Sequence, residues 1–222
     1  GDLTNPEALR KTGLNNEDSL GNNTIMAIQI EIELQAFESK NISFVMGVEE
    51  QILTAQDNSY QFHSLSNCIQ AFENTKKYWE NLTQKIQVET PLESFNLLLN
   101  GWLVYQTITS RLWGKSGFYQ SGGAYGFRDQ LQDTIGLKYV DPELMKLQIL
   151  KHSQHQFLEG DVEHWWHEET STGIRTKFSD DLLWLVYVTE EYIEFTGDEN
   201  LLAEKTPYLE GEILEENQDE KY

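Results

Sequence analysis

Cysteine is almost absent from this chain. Cys68 is the single one in 222 residues, so no internal disulfide can form and the sequence fits a reducing compartment. Long apolar runs are missing too. The longest, Leu182 to Val188, is far shorter than the roughly 20 residues that a membrane-spanning helix needs. Basic residues are scarce: 16 Lys and Arg stand against 37 Asp and Glu, and the net charge of −21 argues against nucleic acid and anionic membranes as partners. The chain opens on Gly1-Asp2-Leu3-Thr4, with no start methionine, no basic leader and no apolar segment behind one. A cytoplasmic piece of something larger is therefore expected. Internal repeats and low-complexity tracts are also lacking. What remains is 39% hydrophobic and 12% aromatic, the composition of a folded protein.

The apolar pattern changes period along the chain. From Thr24 to Ala36, Met26, Ile28, Ile30, Ile32 and Leu34 alternate with Gln29, Glu31, Glu33 and Gln35, which predicts a half-buried strand. A turn over Glu38 to Asn41 and a shorter strand through Ile42, Phe44 and Met46 follow. Two strands are not stable alone, so a larger sheet is expected around them. No later segment reads as a strand. From about residue 49 the spacing is helical: Leu65, Ile69, Phe72, Trp79, Leu82 and Ile86 mark one helix, and Pro91 to about Trp113 a second. A third spans 127–140. A fourth opens at Asp141-Pro142-Glu143 and runs to about Glu159 before Gly160. The last starts at Ser179-Asp180-Asp181 and ends at Gly197. The acidic remainder, with Glu210, Glu212, Glu215, Glu216, Asp219 and Glu220, reads as a solvated tail.

Four constellations could carry chemistry. The first surrounds a glycine loop, Ser121 to Gly126, that leads into a helix. It comprises Arg111, Tyr119, Gln120, Arg128, Asp129, Gln132 and Asp133, a set able to donate to and accept from sugar hydroxyls; the bland alternative is an Arg–Asp pair tying loop to helix. The second is the loop expected around His164-Trp165-Trp166-His167, where tryptophan faces suit the C–H faces of sugars; alternatively it plugs a gap between helices. The third is Asp180-Asp181 at a helix start, of which capping explains only one carboxylate. The fourth is the histidine set His152, His155, His164 and His167, with Glu159 or Glu163. Two tryptophans separate one pair and no metal signature is present, so no metal is expected.

Together, Ser110 to Trp113, Gly117 to Asp133, Gln156 to Asp161, His164 to His167 and Arg175 to Leu185 resemble glycoside hydrolase family 94, the inverting glycoside phosphorylases. Within it they are similar in particular to the phosphorylase-like C-terminal region of cyclic β-1,2-glucan synthases. The resemblance implies a mainly α fold in three parts. Residues 1–48 would end a β-sandwich, 49–90 form a helical linker, and 91–222 form part of an (α/α)6 barrel, so the chain looks like a fragment. The implied reaction transfers a glucosyl unit between a β-glucan or glucooligosaccharide and phosphate, with glucose 1-phosphate as the other sugar partner. Phosphate attacks directly, so one general acid suffices where an inverting hydrolase needs two carboxylates. The family carries that acid in an Asp-Trp-Asn-Asp motif, which this sequence does not contain; it is expected beyond Tyr222, and the chain alone is expected to be inactive.

By motif, Arg128 and Asp129 match the family's grip on the sugar at the non-reducing side of the cut. Arg111, Gln132 and Asp133 are weaker candidates, and Asp180-Asp181 match an Asp-Asp-x-Leu-Trp element that shapes the pocket. The glycine loop lacks the phosphate-facing Arg of cellobiose-type members, which favours the β-1,2-glucan branch. No cofactor is expected beyond phosphate as co-substrate. The rest of the polypeptide, a homodimer mate and, for a glucan synthase parent, the inner membrane are the implied associations. Two other readings stay open. One is an inverting hydrolase with Asp129 and Asp180 as acid and base; the other is a glycan-binding remnant using Trp165, Trp166 and Arg128.

Overall fold

The computed structural model describes residues 4–14, 26–117 and 122–222 and divides into two compact units, Gly1–Ile69 and Gln70–Tyr222, with the division falling inside a helix. In the first unit, Glu7–Arg10 form one 3-10 turn, where a short helix is expected. The alternating segment does not become a ladder. The chain turns at Ala36-Phe37, with Phe37 at a φ of 66° and Glu38 N–H donating to Gln35 O, but Met26 to Leu34 and Ile42 to Met46 carry no strand pairing among the described residues. Their apolar side chains stay exposed, as an alternating face does when nothing packs on it. The rest of the predicted first strand, Thr24 and Ile25, lies outside the described residues. Helix α1, Ile52–Gln61, follows.

Helix α2, Leu65–Thr83, begins where Ser64 caps it, its hydroxyl accepting from Asn67 N–H. In the second unit, one helical run carries α3 (Glu93–Leu97), a π turn (Leu98–Trp102), α4 (Leu103–Gln106) and a second π segment (Thr107–Trp113). π segments widen a helix and often accompany functional positions; Arg111 lies in the second. The chain then forms β1 (Tyr125–Gly126), α5 (Phe127–Thr134) and a 3-10 continuation, Ile135–Tyr139. Asp141 caps α6, accepting from Glu143 N–H with Pro142 in the first turn, as its sequence requires.

Helix α6 (Pro142–Ser153) stops earlier than expected. The chain beyond it builds a sheet where the sequence reads as loop: β2 (Glu163–His167) and β3 (Thr172–Thr176) pair antiparallel, flanked by β1 and by β4 (Glu220–Lys221) in the order β1-β2-β3-β4. These strands are short and poor in regular alternation, so periodicity cannot find them; burial of Trp166 and Ile174 does the work instead. The acidic remainder is also no free tail. Lys177 N–H donates to Asp219 O, its ammonium to Glu215 O and Glu216 O, and Glu220–Lys221 extends the sheet. Helix α7 (Asp181–Thr196) ends at Gly197, whose φ of 72° is the left-handed cap that glycine adopts without strain.

The principal core joins Phe127 and Leu131 of α5, Met145 and Ile149 of α6, Trp166 of β2, and Val188 and Tyr192 of α7. A second cluster packs Leu82, Ile108, Leu112, Leu137 and Val140. Three helices and the sheet thus meet at α5, and the polar N-terminus of that helix faces the pocket described next.

Candidate sugar-binding pocket

The backbone leaves β1 at Gly126 and enters α5 at once, so Arg128 and Asp129 project from the first helical turn. Gly126 lies close against this turn: a Cβ there would stand 3.0 Å from Asp129 Oδ2 and push that side chain aside. Across from this turn stands the start of α7 with Asp180 and Asp181, and beside both runs β2. Together they enclose a pocket of about 390 Å3 lined by Arg128, Asp129, Gln132, His164, Trp165, Phe178, Asp180 and Asp181, with Gly126 and Phe127 at its base. Three stretches far apart in sequence therefore meet around one space.

Charge inside the pocket is paired but accessible. Arg128 Nη1 donates to Asp180 Oδ2 at 3.0 Å, its Nε to Gln132 Oε1 at 3.3 Å, and its guanidinium lies 5.1 Å from the Trp184 ring. Arg128 and Asp180 are both about half exposed, so their pair contributes little to stability and remains available to a ligand. Arg111 backs the site from the π segment. Its Nε donates to Asp133, and its Nη2 lies 3.6 Å from Asp129 Oδ2. Burial lifts the Asp133 carboxyl above the ordinary range, against the pull of Arg111. Asp133 is thus a partner of Arg111 behind the pocket rather than one of its lining residues.

The adjacent tryptophans part company. Trp165 lines the pocket, whereas Trp166 is 2% exposed, stacked between Tyr125 (5.3 Å) and His155 (3.8 Å) in the core. Strand geometry requires this split, since successive side chains leave on opposite faces. Tyr119 and Gln120 lie outside the described residues.

His164, offered by the sequence only as a neighbour of the tryptophans and one of four histidines, and Phe178 also line the pocket. The β2–β3 register shifts between Glu163 and Trp165, and this bulge takes His164 out of simple alternation. Its Nδ1 lies 2.7 Å from Oδ2 of the buried Asp181. The hydrogen bond to Asp181, with the charges of Asp181, Asp129 and Asp180, raises the imidazole above the usual histidine value despite partial burial. Its sequence signal is a histidine beside two tryptophans and an acid; grouped with three other histidines it also raises a metal site, which the spacing argues against. The four histidines go to separate partners: His152 to Gln148 O, His155 to Glu163, His164 to Asp181 and His167 against Trp165. Among the described residues no three His, Cys, Asp or Glu side chains converge as metal ligands. None of the described helices is long and apolar enough to cross a membrane.

The pocket offers carboxylates, an arginine, an amide, an imidazole and an aromatic wall. That set hydrogen-bonds a ring of hydroxyls while stacking on its apolar face. A larger groove of about 1050 Å3, lined by Trp79, Leu97, Leu98, Trp102 and Tyr105, is mostly apolar and lacks such an array.

Comparison with known proteins agrees with this chemistry. The catalytic-domain model of the glycosyl hydrolase 94 superfamily matches residues 78–217, and the glycosyl hydrolase 94 supersandwich-domain model matches residues 1–65. The cyclic beta-(1,2)-glucan synthase NdvB of Rhizobium meliloti (strain 1021) is 40% identical over 191 residues, covering 82% of this chain and 7% of the synthase. The N,N'-diacetylchitobiose phosphorylase of Vibrio proteolyticus is 24% identical, covering 95% of this chain and 30% of that enzyme. A solabiose phosphorylase of Paenibacillus borealis is 30% identical over 129 residues, 58% of this chain and 16% of its own length. The chain thus spans less than a third of each of these relatives.

Proposed function

Because the chain belongs to glycosyl hydrolase family 94, we propose that it forms the glucosyl-binding side of a glycoside phosphorylase or glucan synthase site acting on β-1,2-linked glucans. The observation that carries this reading is the convergence of Arg128-Asp129, Trp165 and Asp180-Asp181 on one pocket from three segments. Arg128 and Asp129 hold the hydroxyls of the terminal glucose, and Trp165 covers its apolar face. Arg111 and Asp133 keep the Arg128–Asp129 turn in place from behind. Similarity to a protein described as a cyclic β-(1,2)-glucan synthase supports the linkage.

In the proposed reaction one acid protonates the departing glycosidic oxygen and phosphate attacks the anomeric carbon from the opposite face, inverting it. Phosphate is a co-substrate and no further cofactor takes part. The acid is not assigned to any of these 222 residues, which lack an Asp-Trp-Asn-Asp string. In this reading residues 91–222 are part of an (α/α)6 barrel, 49–90 form a helical linker, 1–48 belong to the sandwich, and the chain binds without turning over.

Titration calorimetry with sophorose, the β-1,2-linked glucose disaccharide, tests this. Saturable binding is expected, weakened roughly 10- to 100-fold by Arg128→Ala or Asp129→Asn, as for loss of a charge-assisted hydrogen bond. Absence of binding by the wild-type chain would overturn the proposal. Phosphorolysis at the rate of a full-length enzyme would instead place the acid within the chain. Reducing sugar released without phosphate and lost on Asp129→Asn would point to a hydrolase. Against that hydrolase, Asp129 and Asp180 each already face an arginine.

A further inference from the structure

Behind the pocket lies a buried amide that none of the preceding assignments uses. Gln130 is 1% exposed, in the α5 face that packs into the core. Its Oε1 accepts from Gly126 N–H at 2.7 Å, and its Nε2 donates to Arg111 O at 3.3 Å. One end therefore holds the residue that turns β1 into α5; the other holds the backbone of the π segment that carries Arg111. Gly126 is also the residue paired with Trp165 across the β1–β2 ladder, and Asp129 folds back against it. The turn that carries Asp129 and the π segment behind the pocket are thus tied together by this one side chain.

We infer that Gln130 is a positioning residue: its amide fixes Gly126 against the π segment of Arg111 and so sets where Asp129 and Trp165 stand around the sugar. The inference rests on the reading that the pocket takes a glucosyl unit. The chemistry demands an amide. An N–H on one side needs an acceptor and a C=O on the other needs a donor, at one side-chain length. Glutamate supplies the acceptor alone, and methionine supplies neither. Glutamate leaves Arg111 O without its donor, methionine also leaves Gly126 N–H without its acceptor, and the turn shifts to find partners. A displacement of about 1 Å at a binding turn is enough to cost up to 100-fold in function.

Three variants of the 222-residue chain test this, each measured for sophorose affinity and for melting temperature. Gln130→Met and Gln130→Glu are expected to weaken sophorose binding about tenfold or more in protein that remains folded. Gln130→Glu is isosteric and answers the question if Gln130→Met does not fold. Thr134→Val is the control. Thr134 is equally buried one turn further along α5, and its hydroxyl donates only to Leu131 O. It is expected to lower the melting temperature and leave the affinity unchanged. If the Gln130 variants lose melting temperature but bind sophorose as the wild type does, Gln130 is purely structural and the inference is overturned. If the wild type itself does not bind, the sugar reading fails and the inference falls with it.

Discussion

Two stretches, residues 26–46 and residues 163–176, make an instructive pair. The first alternates apolar and polar residues with strand period from Met26 to Leu34, yet it forms no ladder among the described residues, and Met26 is 88% exposed. The second shows almost no alternation, with His164, Trp165, Trp166 and His167 in sequence, yet it forms a paired hairpin and buries Trp166 to 2%. Alternation only offers a face. A strand forms where that face, or even one large side chain on it, has a core to enter. Trp166 finds Tyr125, Phe127, His152 and His155 around it. The second stretch also reaches the candidate pocket, because the same pleat that buries Trp166 turns Trp165 toward it.

The comparison breaks most sharply at Trp166. Trp166→Ala removes the ring on which two aromatic stacks depend and is expected to cost about 3–5 kcal/mol, with loss of the pocket as the hairpin detaches. Trp166→Phe should cost less. The indole Nε1 is buried without a hydrogen-bond partner among the described residues, so its removal forfeits area but no polar contact. Equal destabilisation by the two changes, read by chemical denaturation, would show that the indole N–H matters and that the ring is not acting by packing alone.

A middle-sized effect separates the two sides of the same hairpin by pH. Burial pushes His152, on the core side, down to about 3. The unfolded chain takes up that proton below about 6.5 and the folded chain does not, so stability is full above 6.5 and is lost as pH falls toward 3. His164, on the pocket side, is raised above the ordinary value by its hydrogen bond to Asp181. Its contribution is full below about 6.5 and is lost as pH rises through the folded value. Melting temperature against pH is therefore expected to fall on both sides of a maximum. His164→Asn should flatten the alkaline limb and spare the acid one; an unchanged alkaline limb would remove His164 as its cause.

Much of the pocket was legible because its residues sit where local rules act. Arg128 and Asp129 follow a glycine into a helix, and Asp180-Asp181 stand at the start of another, where Asp180 takes the N-cap position without a side-chain cap hydrogen bond; glycines and helix starts are short-range signals. Trp165 and Trp166 were legible as a pair but not as one inside and one outside, since that choice belongs to strand pairing. His164 depended on a bulge, which no spacing announces. Gln130 did leave a trace. Phe127, Leu131 and Ile135 have the spacing of an apolar stripe, while the buried face runs Phe127, Gln130, Leu131, Thr134, with polar residues at two inward positions. A polar side chain inside a helical stripe signals a buried partner.

The smallest expected effect tests the other half of the comparison. Ile30 sits in the middle of the best-patterned segment of the chain, and it is 48% exposed. If alternation by itself created a stabilising strand, Ile30→Thr would remove part of a buried face and cost about 1–2 kcal/mol. If the face is uncovered, as its exposure says, the same change should fall within about 0.5 kcal/mol of neutral, because threonine keeps the β-branch and loses only surface that water already reaches. Denaturation of the 222-residue chain distinguishes the two. A cost above about 1 kcal/mol would mean that this face is covered in solution, and the contrast with the Trp166 hairpin would lapse. A neutral result would leave the difference between the two stretches where the structure puts it, in what each side chain has to pack against.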